Sequence, residues 1–513
     1  MDTLLAALPL IIILVLMAWL RWGGAQAGAA GWLAALVIAA LRFGVTPQAL
    51  WWAQVQGITR AAYVLYIIWG ALLFFRVTEA DGTLKAMSDL LQQLSPGRML
   101  QVLLLAWAFA SFLQGVGGYG VPVAVVAPIM VTMGFPPLEA VVMPSMGQSW
   151  AVSFGSLGAS FEALTSATGL EASFIAPWMA AILTVVCLLA GLAVLWVAGG
   201  KTALRSEAWP LVTMALAMSL AQYAAVAADL ANIGALIGAL AGLLTGGVWA
   251  VWRRRRVPTH EITPIPIKQT AVRMLPYAIL IGIILAVNFI PLLDTLLNRW
   301  TLSVDVPALT LRDGTQIPAD RTKSISVLGH PGAQLIYAAL AALLIARLRG
   351  TLPPGSAAKI RKGVVGSGTK SSLGIMAMMA MATTMQMAGM VSELAEAMAA
   401  LAGRFFPVIS PFIGALGAFM TGSNTNSNVL LGAFQLQVAR TLALHVPLVI
   451  ALHNAGAAVG SVFGPAKIIV GCSTVGLSGQ ESGALRQTSR YGLTIVAVVA
   501  VLGFVIARLM PAA

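Results

Sequence analysis

The chain has 513 residues, of which 59% are hydrophobic and 9% charged, with a mean hydropathy of +0.90, whereas soluble domains run near 25% charged. No soluble core can hide that much apolar surface, so lipid is the main solvent and the bilayer is the chain's first partner. The formal net charge of +13 does not imply nucleic acid: the basic residues cluster at the ends of apolar runs, and no aromatic-interleaved basic face exists.

A hydrocarbon layer of roughly 30 Å needs about 20 apolar helical residues. The N-terminal stretch MDTLLAALPLIIILVLMAWLRW lacks a basic n-region and reads as a first span, not a cleaved signal. Further spans are expected at 28–42, 58–76, 99–113, 174–198, 275–297 and 491–507. The composition predicts an all-α polytopic membrane protein, a single integral domain over 1–513 with about 12–14 transmembrane helices. Residues 210–252 carry no Lys or Arg and break once near Asp229 and Asn232, which makes a pair of spans. The basic segments on either side, including Arg253, Arg254, Arg255, Arg256, Lys268 and Arg273, then lie on one face. The positive-inside rule places the loops 253–273 and 347–370 in the cytoplasm and the mixed-charge loop 298–330 outside. Cys187 and Cys472 lie far apart in apolar surroundings and read as buried thiols, neither a disulfide nor a metal pair.

FLQGVGGYGVPVA, 112–124, contains G-x-G-x-x-G at Gly115, Gly117 and Gly120. A dinucleotide site would need a preceding strand and an acidic residue about 20 positions on that ends a strand. A helical-length apolar run precedes these glycines instead, and Glu139 follows two prolines. Four glycines including Gly118, with Tyr119 among them and Pro122 and Pro128 after, predict an unwound membrane helix over 115–122. A second stretch echoes the first. FMTGSNTNSNVL, 419–430, aligns with 112–123, and PLVIALHNAGAAVGSVFGP, 447–465, aligns with PLEAVVMPSMGQSWAVSFGS, 137–156, at a nearly constant offset. We read these as two repeats, with cores about 98–172 and 405–485, whose paired broken segments point to a transporter's binding site.

In the second copy Ser423, Asn424, Thr425, Asn426, Ser427 and Asn428 stand in succession between apolar flanks of about ten residues, too short to span. That is the pattern of a hairpin or broken helix whose second arm aims its positive dipole end at the polar tip, which favours an anion. Ser145, Gln148, Ser149 and Ser153 are spaced to share one helix face, with His453 and Asn454 at the corresponding place in the second copy. His453, Glu162 and Lys467 are the candidates for coupling: a proton relay, a titrating carboxylate and an unusual cation in this cluster. The methionines between Met376 and Met390 read as adaptable packing. No zinc spacing, nucleophile elbow or P-loop occurs, so no metal, cofactor or enzymatic activity is expected.

FLQGVGGYGVPVAV followed by MGFPPLEA, then SPFIGALGAFMTGSNTNSN and GLSGQESGALR, with EAWPLV and RMLPYAIL between them, resembles the L-lactate permease family of bacterial membrane carriers over essentially the whole chain. The resemblance implies proton-coupled uptake of L-lactate or glycolate across the bacterial cytoplasmic (inner) membrane. It also implies inverted repeats with two re-entrant hairpins, whose tips, Gly115–Gly120 and Ser423–Asn428, cradle the substrate carboxylate beside Gln114. The family's pattern usually holds Glu where this chain has Gln114, Asp where it has Asn424, and a polar S-P-Q segment where it has Gly464, Pro465, Ala466 and Lys467. A sodium-coupled carrier or exchanger of another small organic acid is the alternative, and a channel the more remote one. The sequence leaves the oligomeric state open, a homodimer included.

Overall fold

The computed structural model describes residues 1–20, 22–94, 97–118, 120–255, 272–312, 314, 316–322, 324–478 and 480–510. In chain order, α1 (Asp2–Ala18), α2 (Gly24–Leu41), α3 (Pro47–Ala80) and α4 (Thr83–Leu94) come first. Then follow α5 (Arg98–Val116, with a π-helical stretch at Leu103–Phe109), α6 (Val121–Thr132), α7 (Pro137–Gly147) and α8 (Ala159–Thr168). The middle of the chain forms α9 (Ala172–Ser206), α10 (Ala208–Ala227), α11 (Gly234–Arg254), α12 (Leu275–Phe289) and α13 (Pro291–Leu297). Beyond residue 330 lie α14 (Pro331–Leu348), α15 (Ser356–Met387), α16 (Met390–Ala402), α17 (Phe406–Thr421) and α18 (Asn424–Thr441). The last three are α19 (Val446–Val462), α20 (Pro465–Thr474) and α21 (Glu481–Leu509).

The protein is an all-α polytopic membrane protein. Among the described residues ten helices are long and apolar enough to cross a membrane, or eleven with the pair α12 and α13. This is fewer than the expected spans, and the shortfall has a composition cause. α1 is slightly short, and the 32-residue α15 is too polar along its length, with Lys359, Arg361 and Lys362 in its first turns and Lys370, Ser371, Ser372, Thr383, Thr384 and Gln386 farther on. Yet α15 packs along α2 and α3, and its Met378, Met379, Met381 and Met385 are buried. One expected span is corrected. The run 275–297 is not a straight span but turns by 90° at Ile290, where Pro291 removes a helical N–H.

Two helical hairpins organise the core. In the first, α5 runs to a break at Gly117–Gly120 and α6 returns, so that the Arg98 guanidinium sits 4.2 Å over the Phe135 ring and closes the base. The unwound stretch is shorter than the expected 115–122: Gly115 and Val116 still belong to α5, and Val121 and Pro122 already belong to α6. Gly120, at φ +85°, makes the left-handed turn that launches α6, a conformation costly for any other residue. In the second hairpin α17 and α18 lie side by side. Ser427 donates to the Gly414 carbonyl at 2.9 Å and Ser410 to Gln435 Oε1 at 2.8 Å. Here only Gly422 and Ser423 are non-helical, because the Ser423 hydroxyl accepts the Asn426 N–H at 3.3 Å and caps α18. Asn424–Asn428 therefore form the first turn of α18 rather than an extended tip, and the arms, at 16 and 18 residues, are longer than expected.

Each hairpin is followed by a second helix pair with its own break: α7 and α8 separated by 148–158, and α19 and α20 separated by Phe463–Gly464. α19 crosses α17 at small residues. A methyl group at Gly456 would overlap the Pro411 carbonyl oxygen, and one at Gly460 the Ala415 carbonyl oxygen, so the backbones approach as closely as side chains permit.

The loop before α14 is not irregular. The described residues between 301 and 326 form a ribbon of three nested antiparallel pairs, β1 (Thr301–Leu302) with β6 (Ile325–Ser326), β2 (Asp305–Val306) with β5 (Asp320–Arg321), and β3 (Leu309–Thr310) with β4 (Gln316–Ile317). Its Val306 and Leu309 are buried against the helix 1–3 cluster, and the Arg312 N–H donates to the Gly44 carbonyl at 3.0 Å. At the other end of α3, Thr351 donates to Asp81, and Arg349 donates to the Val272 carbonyl at 3.0 Å. Of the basic loop 253–273, residues 256–271 lie outside the described residues. At its start Arg253 pairs with Glu207 at 2.7 Å, and Glu207 is 4% exposed. Arg253→Ala is expected to cost about 3–5 kcal/mol by stranding a buried carboxylate, which a thermal melt of the purified protein reads directly.

Candidate functional site

The breaks and tips meet at one place. The carbonyls at the end of α5, which have no helical partner of their own, accept from the unwound segment between α7 and α8: Ser156 N–H to Gln114 O at 2.8 Å and Leu157 N–H to Gly115 O at 3.0 Å. That segment is strained. Ser156, Leu157 and Gly158 have φ of 49°, 53° and 84°, which costs on the order of 1 kcal/mol or more for each non-glycine residue, and the two bonds to the first hairpin hold it. A methyl at Gly118 would overlap the Ser156 hydroxyl. The second hairpin makes the equivalent contact. A Cβ added at Gly464 would lie 3.1 Å from Gly422 Cα and 3.2 Å from the Phe419 carbonyl oxygen.

Cross-links join the two halves. Ser160, in the first turn of α8, lies 2.8 Å from the Thr425 hydroxyl, and its carbonyl accepts from Asn428 Nδ2 at 2.9 Å. Ser153 donates to Asn454 Oδ1 on α19. Lys467, in the first turn of α20, reaches back to donate to Ser461 Oγ at 3.1 Å, and its Cγ lies 3.9 Å from the Cβ position of Gly120. Four helix N-termini, those of α6, α8, α18 and α20, therefore converge on one buried polar centre. Their dipoles favour negative charge.

Several expected residues present polar atoms that no described group satisfies. Gln114 Oε1, both amide atoms of Gln148, Ser149 Oγ, both amide atoms of Asn424, Asn428 Oδ1, Asn454 Nδ2 and both ring nitrogens of His453 are buried without a partner among the described residues. Buried polar groups are almost always bonded, and Gln114, Asn424 and Asn428 lie on the two hairpins that form the tips, which makes these residues the candidates for contact with a polar ligand.

Other expected residues fall elsewhere. α7 ends at Gly147 and Ser149–Val152 is a 3-10 turn, so Ser145, Gln148, Ser149 and Ser153 do not share one helix face as their spacing implied. Pro144 and Gly147 end the regular helix. Ser145 donates back to the Val141 carbonyl at 2.8 Å, and Ser427 holds the hairpin arms together. The half-buried Asn426 faces α2, its Nδ2 3.5 Å from a Cβ placed at Gly24. Tyr119 lies outside the described residues. Glu162 is buried on α8, accepting from Thr165 Oγ1 at 3.2 Å and bonded to the Tyr63 hydroxyl. The sequence reading missed Tyr63, Ser156, Ser160 and Ser461. Ser156 and Ser160 could have been found as the small polar residues of SLGAS just after the break, whereas nothing in α3 singles out Tyr63. Among the described residues no group of His, Cys, Asp or Glu is placed to hold a metal.

The sequence profile described as L-lactate permease matches residues 2–510. The chain belongs to the L-lactate permease family. Among its relatives, the L-lactate permease of Bacillus subtilis (strain 168) is 25% identical over 98% of this chain and 95% of that one. The glycolate permease GlcA of Escherichia coli (strain K12) is 26% identical over 98% of this chain and 95% of that one. The solved structure of the Alcanivorax borkumensis YdaH transporter, described as having an unusual topology, covers 87% of this chain and 85% of its own, at 14% identity and a TM-score of 0.44. That likeness is too loose to fix topology or activity. Family membership makes this permease a transporter of small organic acids and not an enzyme, a multi-pass protein of the bacterial inner membrane.

Proposed function

We propose that the protein carries a small monocarboxylate, L-lactate or glycolate, into the cell together with a proton, binding it where the two hairpin tips meet. The convergence of four helix N-termini on unpartnered amides supports this reading most. It offers donors and positive dipole ends to a carboxylate and uncharged acceptors to a 2-hydroxyl, at less cost than fixed charges at membrane depth. Gln114, Gln148, Asn424, Asn428 and Asn454 supply the side-chain contacts, with Glu162, His453 and Lys467 as the ionisable groups nearby. The two hairpin-plus-break units, cores 98–172 and 405–485, act as inverted repeats, each hairpin entering the membrane and returning to the same side. The end of the molecule carrying Arg254, Arg349 and Lys359 faces the cytoplasm and the ribbon 301–326 faces outward, by the positive-inside rule.

A ligand that binds only the folded state raises its stability by about RT ln(1 + [L]/Kd). L-lactate or glycolate at millimolar concentration is expected to raise the melting temperature of the detergent-purified protein, while the uncharged amide of lactate leaves it unchanged. Equal protection by the amide would contradict recognition of the carboxylate.

A further inference from the structure

Lys467 is 7% exposed and sits between the two tips: its stem passes Gly120 of the first hairpin, and a Cβ added at Gly422 of the second would lie 3.2 Å from the Ala466 side chain. Its ammonium makes one hydrogen bond, to Ser461 Oγ, and no salt bridge involves it among the described residues. An ammonium has three donors, so two remain for a ligand. α20 packs on α6, α7, α19 and α21. α6 carries no titratable group, α7 only Glu139 and α19 only His453, whose ring nitrogens have no partner among the described residues. α21 carries Glu481, Arg486, Arg490, Tyr491 and Arg508, and α20 itself Cys472. The described residues of the two tips hold no carboxylate.

A buried ammonium without a counter-charge is unfavourable, and two events relieve it: pairing with an anion, or giving up its proton. Those two states are the two legs of a symport cycle. Resting on the carboxylate-binding reading above, we infer that Lys467 is both the counter-ion of the substrate carboxylate and the carrier of the coupled proton. Facing outward, the amine takes a proton from external water and pairs with the carboxylate, and the neutral ion pair crosses. Facing inward, the anion leaves first, the ammonium then releases its proton to internal water, and the neutral amine returns. One proton accompanies each monocarboxylate, and no net charge moves. An arginine at this position keeps its charge throughout, so it can shuttle anions in both directions but cannot return empty.

The test uses the full chain in liposomes with labelled L-lactate. Lys467→Arg is expected to retain lactate–lactate counterflow at a reduced but measurable rate, while its pH-gradient-driven accumulation falls at least about thirtyfold. Lys467→Met is expected to lose both, with membrane insertion and melting temperature retained. For the unmodified protein, a valinomycin-imposed membrane potential without a pH gradient should not drive uptake. Accumulation by Lys467→Arg at the wild-type level, exchange by Lys467→Met, or potential-driven uptake by the unmodified protein each overturns the inference alone. Absence of any monocarboxylate exchange by the unmodified protein overturns it together with the carboxylate reading.

Discussion

Asn424→Ala is expected to lower lactate uptake on the order of a hundredfold, while the variant inserts and melts within a few degrees of the unmodified protein. The side chain is 2% exposed, and neither amide atom has a partner among the described residues. Folding has therefore already met the desolvation cost of this group without gaining a hydrogen bond, and its removal should not weaken the fold. A substrate carboxylate seated at the N-terminus of α18 would take a charge-assisted bond from this amide. Such a bond contributes about 1.5–3 kcal/mol, and a hundredfold loss corresponds to about 2.8 kcal/mol at about 1.4 kcal/mol per factor of ten. Uptake initial rates and a thermal melt on the same preparation separate the two effects. Near-normal uptake by a folded variant would remove Asn424 from the site.

Gly456→Val should do the opposite, destroying the fold and with it all transport. The substitution forces a branched side chain into the Pro411 carbonyl oxygen at the α17–α19 crossing, where Gly414 and Gly460 are equally tight and no flexible side chain can yield. Overpacking of backbone against backbone costs more than the usual 1–3 kcal/mol of an enlarged core residue, and a loss of about 4–5 kcal/mol approaches the whole stability of many domains. The readout is the yield of monodisperse protein and its melting temperature. Gly282→Ala, at a helical position with no atom within 4 Å of the added carbon, is the matching control and should change neither. A normal yield of Gly456→Val would mean that the crossing is looser than described.

The sequence carried the location of the helix breaks better than their shape. The glycines after Gln114 and the polar run after Gly422 were readable as helix breaks because such residues are out of place in lipid. Where each break begins and ends was not readable. Ser423 caps α18 so well that the polar run becomes a helical turn, and the carbonyls of Gln114 and Gly115 find partners in the 153–158 segment rather than in an unwound loop. Ser145 and Ser149 looked equivalent by spacing, but the helix stops between them, and among the described residues Ser149 Oγ has no partner while Ser145 donates to the Val141 carbonyl. The bend at Ile290 hid inside a continuous apolar run with a proline in its interior. The ribbon over 301–326 was visible in retrospect as alternating residues around Asp-Gly, but its mixed charge read as loop. Tyr63 reaches Glu162 from a helix far away in sequence, a contact that only the packed fold creates.

The most direct test of the account is uptake of labelled L-lactate by the purified protein in sealed liposomes, acid outside and neutral inside, compared with an imposed sodium gradient at equal pH. The account predicts accumulation above equilibrium under the pH gradient, abolished by a protonophore, with no response to sodium. Accumulation driven by sodium alone, or none of lactate or glycolate under either gradient, would contradict it.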